Sequence, residues 1–584
     1  MQFVKVAQML NFVKRISLQQ LAKVCAAVII LSPLLYLLFS QEWLYTPLQS
    51  MDGYLDFGYS FFFDNGNFHM HTYKGARTPW LSIIFYLQKL TGPNFFSPIL
   101  TVTFLLTVTS LYFYLIKTIF NIRTALLIIP WIVFFPHLFG IVTGGIAYNN
   151  TLAVCYFLTG LIFWTKRTLG HQRLLAFLAG FFVASAIFTN IVYLNLLLLF
   201  PVIDHHLKKQ FKSKDYFAGA IAFTFSIPFW GLVNVLHNRK FLFFTNMMSY
   251  IKMYILNPSN QSVWWRGLGE LGEHPAVSTT HLVFISAFFL TAIARLCLVK
   301  SFPKILTWHY AGLVLLWCLW HYTGQAALWP SDFSYPLQIP CILMIASWIP
   351  AANLSKKDII LALISAAFLW LCLYFSYPLK SLVDIGSGKA NIVLAAVATV
   401  ALIFIFAARR VKYANIASFV LLGFVFSAIN FEPRSTAGFN CSVRKQSYNS
   451  QMHISENLMA ITPGPSRFYF FVGPVKDKNL ADRTCLYDNV IPLKEIPRNI
   501  MFMLGYDLGE YDYTNSRSKE ISALNSADFE NFHGYLVLFP FNTENFSADF
   551  LAKARALGFN LQKTHSFVEN VMGEPVPYEV YRQE

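Results

Sequence analysis

The chain has 584 residues, 56% of them hydrophobic and 13% charged, with a mean hydropathy of +0.48. That is more apolar surface than one soluble core buries, so a bilayer takes up the excess. The net charge of +16 does not point to nucleic acid: residues 1–430 carry 30 Lys and Arg against 11 Asp and Glu, whereas 431–584 carry 15 against 18. The positive charge belongs to the apolar part, no basic soluble face appears, and no nucleic-acid partner is expected.

Apolar runs of spanning length fall near 21–40, 95–116, 124–142, 147–165, 216–236, 278–299, 305–323, 333–351, 358–377, 390–408 and 414–430. The first follows a basic stretch and shows no small-residue cleavage pattern, so it reads as a retained helix rather than a removable signal. The stretch 174–203 is longer than one span, is interrupted at Asn190, and is flanked by Arg173 on one side and by Lys208, Lys209, Lys212 and Lys214 on the other. Basic residues on both flanks predict a chain that enters and returns on one side as two short helices. The expected fold is therefore an α-helical polytopic membrane protein of about thirteen transmembrane helices, with a C-terminal α/β domain.

Lys and Arg in the gaps set the orientation. A cytoplasmic N-terminus places Lys117, Arg123, Lys166, Arg167, Arg173, the Lys208 cluster, Lys356 and Lys357 inside, a bias of about two to one over the outer gaps. Residues 1–430 then form the membrane domain, with 41–94 as its first outer loop, and 431–584 form a domain on the outer, periplasmic side.

That tail has strand-like runs at Phe468 to Val472, Tyr535 to Phe539 and Tyr578 to Tyr581. Its clearest helix is expected from about Ala548 to Leu557, with Ser547 as N-cap and Gly558 as stop. It shows no phosphate loop, metal-ligand cluster or nucleophile motif. Six of the eight cysteines lie in apolar runs; Cys441 and Cys485, the two in the tail, are disulfide candidates in an oxidising compartment and free thiols otherwise.

Eight of the eleven acidic residues of the membrane part fall on the expected outer side, and only Asp204, Asp215 and Asp358 fall inside. The densest group follows the first helix. Asp52 and Asp56 are four apart, so a helix there puts both carboxylates on one face, where a partly desolvated pair has a raised pKa suited to a general base. The same spacing also fits a solvated helix start. Further along, Tyr73, Lys74 and Arg77, followed by Thr78 and Pro79, lead into an apolar run at 81–90. Two cations and an aromatic at a membrane boundary can hold a lipid phosphate, or can simply reach the headgroups. The gap from Phe241 to Thr280 contributes Trp264, Trp265 and Arg266, which fit sugar stacking and phosphate contact or an interfacial helix.

The loop 45–90, with an acidic residue just past the first helix, a glycine-containing turn and a basic-Pro element before the next helix, resembles the first outer loop of GT-C superfamily glycosyltransferases. Among these are the bacterial relatives of protein O-mannosyltransferases and aminoarabinose transferases. The resemblance extends loosely over 1–430. It implies that Asp52 takes the catalytic acidic position and that Arg77, Thr78 and Pro79 lie near the donor phosphate. Many relatives have Asp-Glu where this chain has Asp52-Gly53, which leaves Asp56 as the second carboxylate. Asp332 and Tyr335, ahead of another apolar run, resemble the place where such enzymes present a Tyr to the donor.

The implied activity is inverting transfer of a monosaccharide from a polyprenyl-phosphate donor to an envelope glycan or lipid-linked acceptor, such as lipopolysaccharide or O-antigen, at a bacterial inner membrane. Asp52 and Asp56 are the expected catalytic pair. Lys74, Arg77 and Arg266 are expected at the donor phosphate, and Tyr73, Trp265, Asp332 and Tyr335 at the substrate. No cofactor and no metal are expected. Two other readings stand beside it: an O-antigen ligase or polymerase, which would concentrate Arg and His in a late loop, and a lipid or solute transporter, which would bury its ionisable groups at mid-membrane and show repeated halves.

Overall fold

The structure is a computed structural model, described over residues 17–40, 59–60, 63–64, 75–92, 96–133, 148–167, 171–209, 212–245, 276–299, 304–322, 335–380, 396–403, 405, 441–461, 468–472, 521, 524–526, 535–540, 545–571 and 574–583. It is mostly helical, with a small sheet near the C-terminus. The helices are α1 (Leu18–Ser40), α2 (Thr78–Thr91), α3 (Phe96–Ile119), α4 (Ile122–Val133), α5 (Tyr148–Lys166), α6 (Gln172–Thr189), α7 (Leu199–His206), α8 (Ser213–Leu236), α9 (Ala276–Leu298), α10 (Ile305–Tyr322), α11 (Gln338–Trp348), α12 (Lys356–Lys380), α13 (Cys441–Ile461) and α14 (Phe546–Ala556). Among the described residues, three helical stretches are long and apolar enough to cross a membrane: Val102–Ile119 in α3, α6 and α8.

Small residues let these helices approach closely, the packing that operates where lipid removes any hydrophobic drive between helices. A Cβ added at Gly180 of α6 would stand 2.1 Å from the carbonyl oxygen of Gly219 on α8. One added at Gly160 of α5 would stand 2.8 Å from Val183 of α6. The outward face of α8 keeps Phe217, Ile221, Phe225 and Phe229 exposed at four-residue spacing, one apolar stripe along the helix.

Direct contacts sort the helix termini into two ends. At one, Lys117 of α3 and Lys166 of α5 both approach the ring of Tyr114. Arg167, after α5, pairs with Asp204 of α7 at 2.6 Å and with Asp215 of α8 at 3.0 Å. Lys212 donates to Gln172 at the start of α6. Arg123 of α4 pairs with Asp358 of α12 at 2.8 Å.

The chain therefore leaves this end along α6 and comes back to it along α7. The eighteen residues of α6 rise about 27 Å, and the return is matched by a 3-10 helix, Ile191–Leu196, rising about 12 Å, followed by α7 and its lead-in. Asn190 makes the corner: its side chain leaves the helix pattern and accepts from the Val192 N–H, and this bond favours the 3-10 turn over continued α-helix.

One predicted span is shorter than its apolar run. Over 333–351 the chain forms a 3-10 turn, Tyr335–Leu337, and then the 11-residue α11, about 17 Å long. Apart from Ile345, every residue of α11 is buried, so its apolar sequence serves protein packing on all sides rather than lipid contact.

The sheet has the order β1-β2-β4-β3, from β1 (Phe468–Val472), β2 (Tyr535–Phe539), β3 (Leu561–Val571) and β4 (Glu574–Gln583). β1 runs parallel to β2, and the β2–β4 and β4–β3 pairs are antiparallel. α14 packs Phe546, Phe550 and Ala554 on Phe471, Leu536 and Leu538. It begins two residues before the predicted start, with Asn545 at φ 71 as its N-cap. Ser547 is thus inside the helix, and its hydroxyl bonds Glu579 instead of capping. Gly558, at φ +89, stands just past the helix in the left-handed conformation expected of a stop. Strand β3 escaped the sequence reading because its polar, largely exposed edge lacks an alternating pattern.

Candidate functional site

The other end of the helices gathers α2, the corner at Asn190, the start of α5 and the end of α8. Pro79 stands in the first turn of α2, where its missing N–H costs nothing, and Arg77 is the residue just before the helix. The Thr78 hydroxyl donates to Asn234 Oδ1 of α8 at 3.1 Å. Two turns further along α2, the Tyr86 hydroxyl and His237 Nε2 share a hydrogen bond of 2.9 Å. Thr78 and Tyr86 lie about 12 Å apart along α2 yet meet residues within about one turn of α8, so α2 crosses the end of α8 steeply.

Arg239 ties this region together. Its guanidinium lies over the Phe63 ring, 4.3 Å from the centroid, and Nη2 donates to the Gly75 carbonyl at 2.7 Å. Phe63 closes the stretch that follows Asp52 and Asp56, and Gly75 is two residues before Arg77. Burial pushes the Arg239 pKa down to about 9, against the opposing influence of Tyr59, and it remains a cation at neutral pH. His237 packs against Phe63 and Phe85. Burial lowers its pKa, with Lys89 and Arg239 adding to the effect and Asp64 opposing it. Asp64 and Lys89 form an exposed ion pair at 2.8 Å, a contact of small energetic weight.

A second polar knot lies beside it. Asn190 donates to Asn150 Oδ1, and the Tyr193 hydroxyl donates to the Asn150 carbonyl at 3.2 Å. All three residues are buried. The 3-10 turn Tyr335–Leu337 packs on this corner and on α5. The Thr151 hydroxyl and the Gln338 amide are buried there with no hydrogen-bond partner among the described residues. Such groups are costly in a finished core and normally find a water or a ligand. The two knots share this end of α6 and α8, where Ala76 packs with Ala184, Phe188 and Trp230.

Of the predicted site residues, the structure describes Arg77, which it places at this end. The backbone of Tyr335 opens the 3-10 turn against the Asn190 corner, and that of Cys441 opens α13. Asp52, Asp56, Tyr73, Lys74, Trp265, Arg266, Asp332 and Cys485 lie outside the described residues. Asn150, Asn190, Asn234, His237 and Arg239 were not singled out as site residues from sequence, although asparagines inside apolar runs are a readable signal of buried polar contacts. Among the described residues no group of three His, Cys, Asp or Glu could hold a metal ion. No protein-family model, curated protein or solved structure matches the chain.

Proposed function

We propose that the protein is a membrane-embedded, inverting glycosyltransferase that moves a monosaccharide from a polyprenyl-phosphate donor to an envelope glycan, with its reaction at the end where Arg77 and Arg239 stand. In this reading that end faces the periplasm, about thirteen spans carry the chain through the inner membrane, and the C-terminal domain is periplasmic. The observation that carries the reading is the Arg239 bridge. It ties Phe63, at the close of the acidic stretch, to Gly75, beside the basic-Pro element, so the two halves of the loop are anchored to one helix end. Grouping of the Lys- and Arg-rich gaps at the opposite end supports the orientation.

In the proposed reaction Asp52, assisted by Asp56, takes the proton of the acceptor hydroxyl, which attacks the anomeric carbon. The C–O bond to the lipid phosphate breaks, and the phosphate leaves as an anion. Lys74, Arg77 and Arg266 stabilise the charge growing on that phosphate. Tyr73, Trp265, Asp332 and Tyr335 contact the sugar.

The test is transfer of labelled sugar from a defined polyprenyl-phosphate donor in membranes containing the protein. Asp52→Asn is expected to lower the rate by about 100-fold or more, as for loss of a general base, and Arg77→Ala by about tenfold or more. Wild-type rates for both variants would overturn the mechanism.

A further inference from the structure

The end opposite the proposed reaction site carries a cleft of about 640 Å³, lined by His171, Gln172, Arg173 and Leu174 of one segment and Lys212, Ser213, Lys214 and Asp215 of the other. Its charge is positive. Arg173, Lys212 and Lys214 are exposed cations, whereas the one carboxylate among the described lining residues, Asp215, is buried and paired with Arg167 at 3.0 Å. Lys212 shares a 3.1 Å bond with the neutral amide of Gln172, which leaves its charge uncompensated by any carboxylate in the lining. Lys209, beside the cleft, turns its ammonium to the Thr165 carbonyl at 2.7 Å. The Arg167, Asp204 and Asp215 network thus removes both nearby carboxylates from competition and leaves the cations to an outside anion.

An apolar track continues from the cleft. Leu174, in its lining, is 56% exposed, and Phe217, one turn into α8, is 68% exposed. Below them Phe177 meets Phe225 and Phe181 meets Phe229, so α6 and α8 present paired aromatic rings along their shared groove. The helices carrying this track are two of those long and apolar enough to cross a membrane, so the cleft stands at the level of the headgroups and the track at the level of the acyl chains.

We propose that this cleft binds an anionic phospholipid, its phosphate among Arg173, Lys212 and Lys214 and one acyl chain along the aromatic groove. A soluble phosphate would use the cations alone and leave the groove without a role, whereas a zwitterionic lipid would bring a cation of its own into a positive cleft. A basic pocket between spanning helices is the arrangement that selects anionic headgroups. The inference is independent of the chemistry at the other end.

The purified full chain in neutral detergent is titrated with fluorescent phosphatidylglycerol, and separately with phosphatidylcholine carrying the same labelled chain. Phosphatidylglycerol is expected to bind about tenfold or more tightly than phosphatidylcholine. Replacing both Arg173→Gln and Lys214→Gln should weaken it by about tenfold or more, while the charge-keeping pair Arg173→Lys and Lys214→Arg should stay within about threefold of wild type. An unfolded Gln pair would show as lost thermal cooperativity, and the Lys and Arg pair then decides by its preference between the two lipids. Inorganic phosphate at matched ionic strength should not displace the lipid. Equal binding of the two lipids, a folded Gln pair that binds as wild type does, or displacement by inorganic phosphate would overturn the proposal.

Discussion

Arg239 reaches across 164 positions of sequence to the Gly75 carbonyl while stacking on Phe63, and both contacts depend on a flat, forked cation. A lysine is a point charge and cannot make both. Arg239→Lys is therefore expected to keep only part of the transfer rate and Arg239→Ala to lower it by about tenfold or more, with thermal unfolding measured alongside to separate positioning from stability. The lowered pKa of His237 gives a second test at this scale. In the window below about 6.5 the unfolded chain binds the proton more readily than the folded one, so this contribution to stability is present above the unfolded pKa and is lost as pH falls through the folded value. Melting temperatures compared between pH 7.5 and 5.5 should fall less in His237→Gln than in the wild type; equal falls would remove His237 from the account. Neither role was legible in the sequence. Arg239 stands there as one more basic residue after the apolar run 216–236, because what distinguishes it is a contact that only the folded chain makes.

The α6–α7 return and the α6–α8 contact show how much of an element a sequence carries. The apolar period, the basic flanks and the break at Asn190 made the hairpin-like return readable, since each is a local property of the chain. The closeness of the helices was not readable, because it rests on which glycine faces which. A methyl at Gly180 would meet the Gly219 backbone at 2.1 Å, whereas one at Gly219 has its nearest neighbour at 3.6 Å. Gly180→Ala is expected to destabilise the protein by about 1–3 kcal/mol through overpacking and Gly219→Ala to be tolerated, as read by thermal unfolding in detergent. The same asymmetry applies to charge. Arg167→Met strands two buried carboxylates, at a cost of about 3–5 kcal/mol, whereas replacing Arg167, Asp204 and Asp215 together by apolar residues should cost less than the single change. The 333–351 run shows a related limit: a helix buried in protein and one immersed in lipid have the same composition, so neither the burial of α11 nor its 11-residue length is legible in the run.

For the whole molecule, the contacts place Lys117, Arg123, Lys166, Arg167 and Lys212 at one end and the Arg77, Asn234 and Arg239 region at the other. The proposed orientation predicts that a cysteine introduced at Ser566 in the tail, in a chain without its native thiols, reacts with a membrane-impermeant reagent added outside intact cells, while one introduced at Lys214 reacts only after the membrane is opened. The reverse pattern would invert the topology. The proposed class of chemistry rests on the acidic and basic-Pro loop, and no short motif names an acceptor, since specificity for a glycan lies in pocket shape. The most direct measurement is sugar transfer in sealed, right-side-out vesicles, with the labelled polyprenyl-phosphate donor supplied to the outer leaflet and glycan acceptor added outside. The account predicts transfer that depends on Asp52 and falls by about 100-fold or more in Asp52→Asn. Equal transfer by wild type and Asp52→Asn, or none by either when both are folded and oriented, would contradict it.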